Sequence, residues 1–179
     1  MDPQTGRWCN VGGDVVLKMN KSMKEALAKA GQVKKLTGTL TVSNALKLFW
    51  PQFVEASGCV LRQREPPWPE ELGPMYQYQH DRTDFEASVN EIEIGDYINR
   101  RGKHPLEDLA LAMKVIQVWE CKLKRQFPDY RFHILCSYQD DEDGWGANMR
   151  FYRLREEERA LVDGDIENSS PLAVLVSEF

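Results

Sequence analysis

The sequence predicts an α+β fold: an antiparallel or mixed sheet of about four to five strands, helices packed mainly on one face, in the order α-α-β-β-α-β-β-β. Three observations carry that expectation. A long helical pattern over residues 105–127 is followed by three strand patterns in succession with no crossover helix between them. Two shorter helical patterns stand near the start of the chain. The 179 residues are 42% hydrophobic and 28% charged, which suits one packed domain and not a disordered chain.

Residues 1–20 read as an N-terminal arm and 21–179 as a single domain. In the arm, Gly12-Gly13-Asp14 marks a turn and Val15-Val16-Leu17 is at most a strand fragment. Ser22 and Glu25 have the spacing of a capping box, and Met23, Ala26, Leu27, Ala30 and Val33 continue at helical spacing. A second helix starts near Thr41 or Ser43, with Leu46, Phe49, Trp50 and Phe53 on one stripe and Pro51 as its kink or break. Cys59-Val60-Leu61-Arg62 reads as a strand after the Ser57-Gly58 turn. Residues 65–79 hold four prolines and form a loop. Residues 82–94 fit either a bulged strand (Phe85, Ala87, Val89, then Ile92, Ile94) or a helix, with the strand preferred.

The helix over 105–127 opens with Pro105, Glu107 and Asp108 and closes with Lys122, Lys124 and Arg125, an order that suits the helix dipole. Residues 130–138 alternate, with Phe132, Ile134 and Cys136 on one face and Arg131, His133, Leu135 and Ser137 on the other. Residues 149–154 alternate again after an acidic loop, and 172–176 form the last strand.

Charge divides along the chain. Residues 1–63 carry nine basic and four acidic groups, a net +5. Residues 64–138 carry ten and 13, a net −3, and residues 139–179 carry four and 11, a net −7. The total of −5 excludes a duplex nucleic-acid binder, which needs a dense basic face. No apolar run reaches the roughly 20 residues that cross a bilayer. The polar stretch Met1–Arg7 does not read as a signal peptide, so a cytoplasmic location with reduced thiols is expected. Cys9, Cys59, Cys121 and Cys136 lack zinc-finger spacing, and no metal or cofactor is expected.

Nucleophile elbows, Walker loops and dinucleotide fingerprints are absent, so no catalytic residue is assigned. The acidic loop 139–144 fails as an EF-hand, because Gln139 takes the first position and Arg150 the last. The expected function is therefore a non-catalytic binding or accessory module, inhibitor- or immunity-like, that recognises a protein partner. Trp68, Tyr76, Tyr78 and Trp145 would anchor that partner, and Asp140, Asp141 and Asp143 would select a basic one. The alternative is an enzyme or small-ligand binder with a pocket between the long helix and the sheet, using His80, Glu91, Glu93, Arg131 and His133. A third reading is a homo-oligomer whose aromatics are subunit contacts. The basic stretch Arg100–His104 reads as a solvated connector.

Overall fold

In the computed structural model, residues 15–69, 72, 81–102, 104–140, 146–162, 164, 166, 167 and 172–179 are described. The strands are β1 (Val16–Met19), β2 (Phe53–Ala56), β3 (Cys59–Arg62), β4 (Ile92–Glu93), β5 (Phe132–Gln139), β6 (Gly146–Arg153) and β7 (Ala173–Glu178). The helices are α1 (Lys21–Ala30), α2 (Val42–Phe49), α3 (Arg82–Val89) and α4 (Pro105–Gln126). Five strands form an antiparallel sheet in the order β1-β7-β5-β6-β4, and β2 and β3 form a separate hairpin. This is the expected α+β architecture.

The local physics departs from the sequence reading at four places. Residues 16–19 of the presumed arm are the edge strand β1, paired along β7. The cap of α1 is Asn20 and not Ser22: Asn20 Oδ1 accepts the Met23 amide at 3.0 Å and the Val174 amide at 3.1 Å, while its Nδ2 donates to Leu172 at 2.7 Å. One side chain thus caps a helix and ties it to β7. Phe53 leaves the α2 stripe, because Pro51 ends the helix and Phe53 starts β2. Residues 82–89 are a helix, capped by Asp81 Oδ1 on the Asp84 amide at 2.8 Å. Phe85 and Val89 meet at i,i+4 against Leu61 and Trp68, a spacing that period-2 counting could not exclude.

The core between the sheet and α1, α2 and α4 holds Met23, Leu48, Ile116, Trp119, Leu123, Phe132, Ile134 and Phe151. Phe53 and Phe151 both stand edge-on to Trp119, at 5.8 Å each. The opposite sheet face is covered too. Leu135, Tyr152, Val174 and Val176 pack there against Ala87 of α3 and Ile166. That second cover explains why apolar Leu135 alternates onto what looked like a polar face.

α3 is fastened by charge. Glu86 is fully buried and accepts the amides of Val60 and Arg153, each at 2.6 Å, and the Arg155 guanidinium, also at 2.6 Å. Nearby, Glu158 accepts Arg82 at 2.7 Å and both the amide and hydroxyl of Thr83 at 2.8 Å. Burial would raise the Glu158 carboxyl, but Arg82 and Thr83 outweigh it and hold the group below the ordinary Glu value of 4.5. A carboxylate held low adds stability above its unfolded pKa, and that stability is lost as pH falls through the folded value. The expected result is a Tm that declines on the acid side of pH 4.5, with a shallower decline in Glu158→Gln. An identical acid slope in the two proteins would contradict it.

Candidate functional site: a carboxylate-lined cavity

The first turn of α4 faces the start of β6, and between them lies a cavity of about 150 Å³. Its walls include Glu93 at the end of β4, Gly95, Arg100, Asp108 and Gly146. Asp108 occupies the apolar face of α4, with Ala112, Val115 and Trp119 at i+4, i+7 and i+11, and its side chain is only 4% exposed. Its Oδ1 accepts the Arg100 guanidinium. Its Oδ2 has no hydrogen-bond donor among the described residues.

Two glycines keep the space open. Gly146 has φ +84°, and a Cβ there would stand 2.8 Å from Asp108 Oδ2. A Cβ on Gly95 would stand 3.4 Å from the same oxygen and 3.8 Å from Glu93 Oε1. At Gly146 the carboxyl oxygen and the backbone therefore approach where any other residue would intrude, while a Cβ at Gly95 would stand in ordinary contact and only take up space.

Arg100 is 5% exposed and also reaches Glu107 at 3.4 Å. The expected solvated connector is therefore corrected at this position: Arg100 turns inward because two carboxylates of α4 compensate its lost hydration. Burial raises the Asp108 pKa above 3.8, opposed by Arg100. Glu107 moves the other way. Burial would raise it, but the amide and hydroxyl of Thr37, each at 2.9 Å, hold it low together with His104 and Arg100.

Tyr138 stands near enough to Asp108 for that charge to act on it. Its hydroxyl donates to Asp140 at 3.3 Å, and burial, then the charge of Asp140 and that of Asp108, raise its pKa so that it remains protonated. It lines a second hollow of about 490 Å³ between α1 and the ends of β5 and β7, together with Ser22, Glu25, Lys29 and Asp140 among others. Two carboxylates, Asp140 and Asp108, thus act on Tyr138.

The residues singled out from sequence are distributed unevenly. Glu93 and Asp140 fall at this end of the sheet. Glu91 pairs instead with Asn148 at 2.9 Å and Arg150 at 3.3 Å. Arg131 pairs with Glu178, and His133 is buried with Nδ1 2.8 Å from the Tyr152 hydroxyl and Nε2 3.4 Å from Glu178. Burial pushes the His133 pKa below 6.5, against the pull of Glu178, so the ring is neutral at pH 7. Asn148 faces Ser137 across the ladder, four residues along β5 from His133, or about 13 Å. Glu91, Glu93, Arg131 and His133 therefore do not converge on one pocket.

Trp68 is half-buried: its Nε1 donates to Arg62 at 2.7 Å, its ring meets Phe85, and Arg64 stacks at 3.7 Å. Tyr76, Tyr78, His80, Asp141, Asp143 and Trp145 lie outside the described residues, as does Cys9. Cys59 and Cys136 are buried free thiols. Cys121 is disulfide-bonded, which departs from the expectation of four reduced cysteines.

Sequence reasoning took Glu107 and Asp108 together as dipole partners and so missed Asp108. The available signal was its place on the apolar face of the helix. Among the described residues no group of three or more His, Cys, Asp or Glu could hold a metal ion, and no helix is long and apolar enough to cross a membrane. No curated protein and no solved structure matches the sequence. A family model does match, over residues 18–178, and the chain accordingly belongs to the Uncharacterized protein PM0498 family.

Proposed function

We propose that the protein is a non-catalytic binding module that takes a cationic group of a basic protein partner, an ammonium or a guanidinium, into the cavity between α4 and the sheet. One observation carries the reading: a carboxylate that is 4% exposed keeps one oxygen without a donor among the described residues and turned to a glycine-walled space. A buried carboxylate oxygen gains most from a charged donor. Glu107 places a second carboxylate next to Asp108 in the first turn of α4, and one guanidinium, that of Arg100, reaches both. Residues 140–143 are all acidic in sequence and lead toward Gly146, which suits electrostatic steering of a basic partner.

The volume decides against a larger ligand. Pockets that enclose whole small molecules run to roughly 300–1,000 Å³, and about 150 Å³ accommodates a side-chain head group. The raised Asp108 pKa is the one observation that favours the enzymatic alternative, since proton-transferring carboxyls share it.

The test is an amide-resolved NMR titration with methylguanidinium and methylammonium chloride, with sodium acetate as the control. The expected result is saturable shifts at Gly95 and Gly146 with the cations alone. Asp108→Asn weakens the interaction by about 30-fold or more, equivalent to at least ~2 kcal/mol for truncating a buried charge pair. Gly95→Ala narrows the space while keeping every charge, and weakens binding without lowering Tm. Shifts that also follow acetate, or that survive Asp108→Asn, contradict the reading.

A further inference from the structure

We propose that the outer face of α2 docks a short amphipathic helix of a second protein, one that carries acidic residues beside its apolar stripe. The surface is separate from the cavity and opposite to it in charge. Val42, Leu46 and Trp50 are 79%, 59% and 55% exposed, and they stand at i, i+4 and i+8. They therefore form one ridge about 12 Å long on the helix surface. The buried side of α2 is carried by Leu48. Large apolar side chains scattered singly need no explanation, but three in line do.

A straight ridge of this spacing fits the groove between side-chain rows of a second helix. Trp50 is held in place for such a contact. The Lys122 ammonium sits 4.7 Å over its ring and also donates to the Pro51 carbonyl. A pre-positioned aromatic loses little freedom on binding, which is the property of an interface anchor.

Charge names the partner's chemistry. From residue 26 to residue 54 the chain has four lysines and no acidic residue. Lys47 is exposed within α2 itself, and Lys122 borders Trp50. An acidic rim on the incoming helix meets these ammonium groups. A second copy of this chain, docked α2 to α2, would set Lys47 and Lys122 against their own equivalents, because a two-fold contact pairs the same surfaces.

The probe is a synthetic peptide of about 15 residues, four helical turns, with leucines along one face and glutamates flanking them. A control peptide has every glutamate replaced by lysine. Isothermal titration with the whole protein is expected to give binding of the acidic peptide and at least a tenfold weaker interaction with the basic one. Lys47→Glu narrows that preference. Leu46→Ser, an exposed position whose fold is checked by circular dichroism, removes binding of both peptides, and Asp108→Asn leaves it unchanged. The proposal is overturned if neither peptide binds at millimolar concentration, if the two bind equally, or if Leu46→Ser binds as well as the parent. Light scattering closes the remaining alternative: a mass that doubles with concentration and returns to the monomer in Leu46→Ser assigns the stripe to a second copy and overturns the docking of a partner.

Discussion

Arg155→Met should cost about 3–5 kcal/mol, the loss expected when one member of a buried ion pair is removed. Folded domains of ordinary size have about 5–15 kcal/mol in total, so this change removes much of what is available. The reason is the surroundings of Glu86. Its carboxylate is fully buried, and among the described residues Arg155 provides the one guanidinium on it, with Nη2 at 2.6 Å and Nη1 at 3.2 Å. Burial pushes the Glu86 pKa up, and Arg155 and the two backbone amides oppose that push. Without Arg155 the carboxylate must either remain as a buried charge or take up a proton and lose acceptor capacity. Arg155 also donates to the Gly58 carbonyl at 2.8 Å, so the β2–β3 hairpin loses an attachment to the segment that follows β6 at the same time.

Replacing both partners is not a rescue in this protein. Buried ion pairs can often be exchanged for apolar residues at no cost. Here Glu86 is also the acceptor for the Val60 and Arg153 amides, and an apolar side chain would leave two buried N–H groups without partners. Urea unfolding is the measurement. The expected outcome is a lower midpoint with an unchanged m-value for Arg155→Met, and no recovery when Glu86→Met is added. A double variant as stable as the parent would show that the pair, and not the amide acceptor, carries the attachment.

Such contacts mark the boundary of what sequence periodicity can report. β5, β6, β7 and α4 were legible because each is long and repeats one pattern across its length. The four-residue strands β1 and β2 hold too few residues to establish a period, and β2 was further hidden by Phe53, which continues the apolar spacing of α2. Residues 82–89 satisfy both periods, and what decides for the helix is Glu86 reaching Arg155, 69 positions away.

The site divides in the same way. Glu93 and Asp140 could be picked out as clustered acids, but their neighbours Arg100 and Asp108 acquire meaning only when α4 is laid against the start of β6. In α2 five of the eight residues are apolar and they fall on both sides of the helix, so spacing alone could not say which side turns inward. The structure buries Leu48 and divides the apolar stripe: Phe49 and Phe53 pack into the core, and Leu46 and Trp50 stay outside.

Trp119→Ala is expected to lose about 3–5 kcal/mol, and the more informative variant is Trp119→Phe. Trp119 is fully buried, and Phe53 and Phe151 pack edge-on against it. Phenylalanine keeps most of that apolar contact. It loses the indole N–H, which donates to the Leu48 carbonyl at 2.8 Å. That carbonyl is one of the unpaired acceptors at the C-terminal end of α2. An eight-residue helix has no stability of its own, so α2 depends on such attachments: Leu48 in the core, Asn44 on the Tyr97 carbonyl, and Trp119 at its end. Trp119→Phe should therefore cost about 1–3 kcal/mol for the orphaned acceptor, and the loss should be local. Hydrogen exchange at Trp50, whose amide donates to Leu46, is expected to accelerate while the β5–β6 amides keep their protection. The same change should weaken the acidic peptide at the outer face of α2, although the substituted side chain touches no part of that face, because Trp50 would no longer be held against Lys122. If exchange at Trp50 and in the sheet rises together, Trp119 supports the core as a whole and the position of α2 does not depend on its indole N–H.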